Sequence, residues 1–285
     1  MEVDPLAPWL LAVKLALYTS ALLAAGLGLH VSLGVVERDG HTRTLRLAAL
    51  LAGGAVVFAA LRLVVANVQL GGSLESVFDK AILAWTWPNL APSSIAIIAG
   101  AVAMVGASVW RLVWLAVPAA VALAAGFALT GHSQALETPG LAPWAVGLHV
   151  LIAAFWIAAP ISLWPHGALS NEALEARARR FTRYALLAVP LLFIAGGWLA
   201  LRLAGSAEAL VSSAYGQLLL VKLAAATAAL ALGGYNKQVV TRKLRETPDQ
   251  GRQALSVTLG LDALFFASAL VLVGIATTFT GPPTG

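Results

Sequence analysis

The chain has 285 residues, of which 60% are apolar and only 11% charged, with a formal net charge of +5 and no cysteine. Its apolar runs repeatedly exceed the roughly 18 residues needed to cross a bilayer, which makes it a polytopic membrane protein with no length left for an ordinary soluble domain. The missing cysteines exclude disulfides, thiolate metal sites and redox thiols, and the acidic start MEVDP leads us to expect no cleavable leader.

In chain order, apolar length and the charged or Gly/Pro-rich breaks predict helices near 9–36, 44–70, 90–109, 112–131, 143–165, 182–204, 213–236 and 254–279. The expected fold is all-α, a bundle of eight transmembrane helices forming one domain over 1–285. Continuous apolar runs without alternation favour helices over barrel strands, because a helix satisfies its own backbone in lipid. Gly53-Gly54, Gly196-Gly197, Gly233-Gly234 and the abundant alanine suit close helix contacts. The connection 72–89 reads as a short amphipathic helix at the interface, anchored by Trp85 and Trp87.

Lys and Arg set the direction. Arg38, Arg43 and Arg46, then Arg111, then Arg177, Arg179, Arg180 and Arg183, then Lys237, Arg242, Lys243, Arg245 and Arg252 fall in alternate connections, while the others and both termini offer only Lys80. The basic loops therefore face the cytoplasm, and both chain ends and the His132 loop lie outside. The positive charge is a topological signal and implies no nucleic-acid partner.

Within the spans, each polar residue needs a partner or water. Lys14 and Arg202 lie near enough to the outer surface to snorkel, whereas Arg62 sits deep in the second helix and should point inward, with Asn67 and Gln69 above it. His30 lies in the inner half of the first helix. It either joins His166 in an inner site, if helices one and five are neighbours, or makes hydrogen bonds within the bundle; His41 is a loop residue.

His132 and His149 flank the polar break between helices four and five near the outer face, where two imidazoles can hold copper or zinc or serve as axial haem ligands. On helix seven, Tyr215, Lys222 and Asn236 recur at heptad spacing, and Lys222 and Asp262 both fall near the expected midplane as partners. Carboxylates in the outer half are few, Glu137, Glu75 and Asp79, and with Met1 and Met104 as the sole methionines no thioether ladder exists for copper.

The segment Arg180 to Leu244 resembles the membrane domain of the copper-resistance D (CopD) family. The matching pieces are Arg180-Phe181-Thr182, the YGxxLLxK run from Tyr215-Gly216 to Lys222, and Asn236-Lys237; Gly131-His132-Ser133 and the spacing from Leu148-His149 to Trp156 fit the half before it. The CopD-like part spans about 130–281. Departures are Ala158-Ala159-Pro160, where the family commonly has Gly-Gly, and Asp262, where it has glutamate. The resemblance implies an eight-helix bacterial inner-membrane protein associated with copper uptake or delivery from the periplasm, often paired with a small periplasmic copper carrier.

The leading expectation is thus copper received at His132 and His149, with any passage inward along Arg62, Asn67, Tyr215, Lys222, Asn236 and Asp262. The rival is a b-type haem or quinol electron-transfer protein using axial histidines, with Arg62 or Lys222 on the propionates; a third is a non-catalytic scaffold docking a periplasmic chaperone. No Ser/His/Asp order, zinc-protease motif or nucleotide loop appears, so no enzyme is expected.

Overall fold

The computed structural model describes residues 4–131, 134, 138–166 and 169–279. Among these the regular structure is entirely helical: α1 (Ala7–Ser32), α2 (Arg38–Gly71), α3 (Lys80–Val109), α4 (Ala116–Ala128), α5 (Ala142–Ile157), α6 (Ala159–Ser162), α7 (Asn171–Ala204), α8 (Ala207–Ser212), α9 (Ala214–Tyr235), α10 (Thr241–Glu246) and α11 (Pro248–Thr278). Seven of the helical segments are long and apolar enough to cross a membrane, and the span expected at 112–131 is the shorter apolar stretch Val113–Ala128.

The helices run further than hydropathy suggests. Helix α7 begins at Asn171 behind a Ser170 cap that accepts from the Ala173 N–H, and α11 begins at Pro248. Charged first turns continue the helix into water, where their side chains cost nothing, so an apolar window finds each start late. The 72–89 connection is corrected: Leu74–Phe78 is a short 3₁₀ turn, and α3 starts at Lys80, capped by Asp79, and runs on past Pro88 and Pro92. Trp85 and Trp87 stand on the first turns of this long helix.

Helix α1 is the hub, packing against α2, α4, α5 and α11, while α7 lies on α5 and α9 on α11. Its buried run from Ala24 to Leu29 has four small residues and only Leu27 and Leu29 as large ones, and the small ones set the spacing. A Cβ on Gly26 would collide with the Ala154 carbonyl and the Ala158 methyl, so α1 and α5 meet at backbone distance there. Gly28 leaves room for Met104, which is fully buried and serves packing.

The two outer wings, α5 with α7 and α11 with α9, splay from this hub, and α7 and α9 touch little. Asn67 clasps α2 to the following connection and α3: its Nδ2 donates to the Val77 carbonyl at 3.1 Å and its Oδ1 accepts from the Thr86 hydroxyl at 2.6 Å.

Candidate site in a cation-lined cavity

A cavity of about 690 Å³ fills the space between the wings, and its polar wall includes Lys14, Tyr18, Arg62, Ser93, Thr130, His149, Tyr215, Lys222 and Thr277. Each of Lys14, Arg62, His149 and Lys222 stands seven to nine residues from the same end of its helix, taken from the bounds of α1, α2, α5 and α9. At 1.5 Å per residue that places all four roughly 10–14 Å below that end. No carboxylate lines the cavity among the described residues.

His149 is oriented by α7. Its Nδ1 meets the Leu192 carbonyl at 3.3 Å, and since a carbonyl only accepts, Nδ1 carries the proton and Nε2 keeps its lone pair. Gly196, one turn on, lies under the ring: a Cβ there would stand 2.9 Å from Cε1 and 3.2 Å from Nδ1. The Gly-Gly pair in α7 is therefore the seat of the imidazole. Sequence patterning offered Gly196-Gly197 as a contact site without naming its occupant. Trp156, the aromatic seven residues on, is buried, lines the same cavity and meets Phe266 edge-on with centroids 5.9 Å apart.

His132, the expected partner of His149, lies outside the described residues; its neighbour Gly131, at φ 82°, lines the cavity. Arg62 points inward, as its depth demands, and donates to the Thr130 hydroxyl at 3.3 Å. Lys14 is corrected: it does not snorkel but is buried, donating to the Thr277 carbonyl at 2.8 Å and the Thr278 hydroxyl at 3.1 Å, where it satisfies the C-terminal end of α11. Arg202 binds the Thr138 carbonyl and hydroxyl at the surface.

The expected Lys222–Asp262 pair does not form. Lys222 stands 25 residues before the Thr247 reversal and Asp262 only 15 after it, so along antiparallel helices their levels differ by about 15 Å. The sequence reading placed them level because it counted Lys222 from the outer end and Asp262 from the inner end, and it ended the seventh helix at 236 where the helical stretch runs on to Glu246. Asp262 is buried with Oδ1 unpartnered, away from the cavity, and Asn236 opens the π turn Asn236–Val240 nearer the opposite end. Of the six residues expected along an inward path, Arg62, Tyr215 and Lys222 share the cavity, whereas Asn67, Asn236 and Asp262 do not.

The expected inner pair is also corrected. Both ring nitrogens of His30 are taken, Nε2 donating to the Phe155 carbonyl and Nδ1 accepting from the Ser162 hydroxyl, each at 2.8 Å, with Phe155 and Phe181 edge-on around it. The next links are Arg177, donating to the Ser162 carbonyl at 2.8 Å, and its ion pair to Glu37 at 2.7 Å. This buried chain ties α1, α6 and α7 together and leaves His30 no lone pair for a metal. His166 sits apart in an exposed loop, where partial burial and the positive charges of Arg177, Arg43 and Arg252 lower its pKa. Arg252 holds this loop through the carbonyls of Leu169, Pro165 and His166. No described group of three or more His, Asp or Glu is arranged for a metal.

Comparison with known proteins places a copper resistance protein D (CopD) domain at residues 175–276, covering α7 from Glu175 to all but the last turn of α11. Neither the curated proteins nor the solved structures yield a match.

Proposed function

Since the chain is a multi-pass membrane protein of the CopD family, carrying that family's domain over residues 175–276, we propose that it handles copper at the inner membrane. It binds the ion at the periplasmic face and moves or delivers it across or within the membrane, as a carrier and not as an enzyme. The observation that carries this reading is the imidazole of His149, held by Leu192 so that the unprotonated Nε2 is available beside a cavity lined by Gly131, the residue before His132. The metal residues are His132 and His149, with a backbone group or water completing the shell. Copper is the cargo, and a periplasmic copper carrier is its donor or acceptor.

In this reading the cavity end, with both termini, faces the periplasm, and the arginine-rich end, with an eighth crossing at Val113–Ala128, faces the cytoplasm. What supports the orientation is the crowding of Arg43, Arg177 and Arg252 about His166 and of Arg111, Arg180 and Arg183 around a second cleft at that end. The cysteine-free chain suits a direct check, because single cysteines introduced at Ser73 and Thr247 report accessibility without background.

The deciding experiment is elemental analysis and an optical spectrum on one purified sample of wild type, His149→Ala and His132→Ala. Stoichiometric copper lost in both variants, without a Soret band, is the expected result. Copper content unchanged by His149→Ala would refute the assignment of the site.

A further inference from the structure

The cavity holds more positive charge than a cation site explains. Lys14 is satisfied by the end of α11, but Arg62, with five N–H donors, uses one on Thr130, and Lys222 has no hydrogen bond or ion pair to a described residue. Charged groups at such depth demand compensation, and the described wall supplies no carboxylate. An anion brought by a ligand would supply the complement that the described wall lacks.

The rest of the wall describes that ligand. Around the polar level the cavity is built from leucine, valine, phenylalanine and Trp156, and its volume of about 690 Å³ falls within the roughly 300–1,000 Å³ of small-molecule sites. It also has a side entrance. Leu201 on α7 and Leu223 on α9 line it yet are 49% and 44% exposed, so the space opens to the lipid-facing surface between the two helices that barely touch. An apolar body entering sideways from the bilayer brings its headgroup to the level of Arg62 and Lys222.

We propose that this cavity is a binding site for a lipid-derived amphiphile with an acidic headgroup, a carboxylate or phosphate monoester on a single acyl chain. Arg62 and Lys222 hold the headgroup, Arg62 through a fork of donors and Lys222 as a point charge, and the splayed wings hold the chain. This site does not depend on the copper reading, and its occupant neutralises the charges that would otherwise repel a cation beside His149.

The test uses the full chain, purified in non-ionic detergent and delipidated, with radiolabelled oleate as probe and oleyl alcohol and 1-oleoyl lysophosphatidate as competitors. Saturable binding of about one oleate per chain is expected, with oleyl alcohol at least 10-fold weaker. Lys222→Met and Arg62→Gln should each weaken oleate at least 10-fold and leave oleyl alcohol unchanged. Thermal melting provides the folding check, with Lys222→Met melting no lower than wild type because an unpaired buried charge is removed. Stronger competition by lysophosphatidate than by unlabelled oleate assigns a phospholipid source, and the reverse assigns a free fatty acid. Equal binding of oleate and oleyl alcohol, or oleate binding untouched in a folded Lys222→Met, overturns the proposal. Copper measured on the same wild-type sample separates the readings: copper without oleate overturns this one alone, and oleate without copper overturns the copper reading alone.

Discussion

Gly196→Ala probes the seat of His149 with a single methyl group. The added Cβ would stand 2.9 Å from Cε1 and 3.2 Å from Nδ1, inside ordinary contact of about 3.5–4.0 Å, so the ring must retreat from α7 by roughly half an ångström or more. The Nδ1–Leu192 hydrogen bond is already 3.3 Å long and comes from the same face of α7, so the retreat breaks it. Losing one hydrogen bond removes about 1 kcal/mol, or about fivefold in affinity, and losing a metal ligand's orienting partner typically removes about 10- to 100-fold. Cu(I) affinity, measured by competition with a chromogenic chelator, should fall within that span. Gly197→Ala is the control, since its Cβ meets nothing within 4 Å. Both changes favour the helix by up to about 1 kcal/mol, so neither should lower the melting temperature greatly. Wild-type affinity in Gly196→Ala, or an equal loss in Gly197→Ala, would refute the view that α7 aims this ring.

His30→Ala strips the Phe155 carbonyl and the Ser162 hydroxyl of their partner inside a fully packed core and should cost about 2–4 kcal/mol, read as a fall in melting temperature in detergent with copper binding per folded chain retained. Arg177→Ala leaves Glu37 half-buried and unpaired by its nearest guanidinium, a loss of about 2–3 kcal/mol that Arg177→Lys recovers only in part because one ammonium cannot span Glu37 and the Ser162 carbonyl as the guanidinium does. Asn67→Leu orphans the Val77 carbonyl and the Thr86 hydroxyl, and about 1–3 kcal/mol of stability should go with faster proteolysis of the 72–79 connection. Gly26→Val wedges α1 from α5, and the expected outcome is loss of folded protein on size exclusion, since backbone is what its side chain would strike.

The all-helical build and seven of the spans were legible because apolar length reports on lipid directly, residue by residue. Arg62 was legible for the same reason, since depth alone forced it inward. What sequence could not carry was level and rotation. Lys222 and Asp262 seemed partners because hydropathy misses the charged inner turns that carry the helical stretch on to Glu246, and an error of about ten residues at a helix end moves a side chain by about 15 Å. His30 offered no clue to its two hydrogen bonds, because Ser162 and Phe155 lie 132 and 125 residues away. Asn67 looked like a path residue for want of the loop that folds back on it, and Gly196 looked like a generic packing site because its tenant comes from another helix.

If His149 receives copper as proposed, the charge of the cavity constrains which copper species it takes. Lys222 is near enough for its charge to act on the imidazole, and no described carboxylate opposes it. At any given separation the repulsion is twice as large for a divalent as for a monovalent ion. Cu(I) therefore meets half the opposition that Cu(II) meets, and imidazoles alone can hold it at low coordination number, without the sulfur ladder that the sequence lacks. Below His149 the described wall sets the hydroxyls of Tyr18 and Ser93 among apolar side chains and Trp156, with no further imidazole, carboxylate or thioether, while His30 and Ser162 are engaged by their own hydrogen bonds. A cation entering at His149 thus meets no described strong ligand leading to the arginine-rich end. Reception and lateral hand-over at the cavity level require fewer rearrangements of this bundle than passage through it.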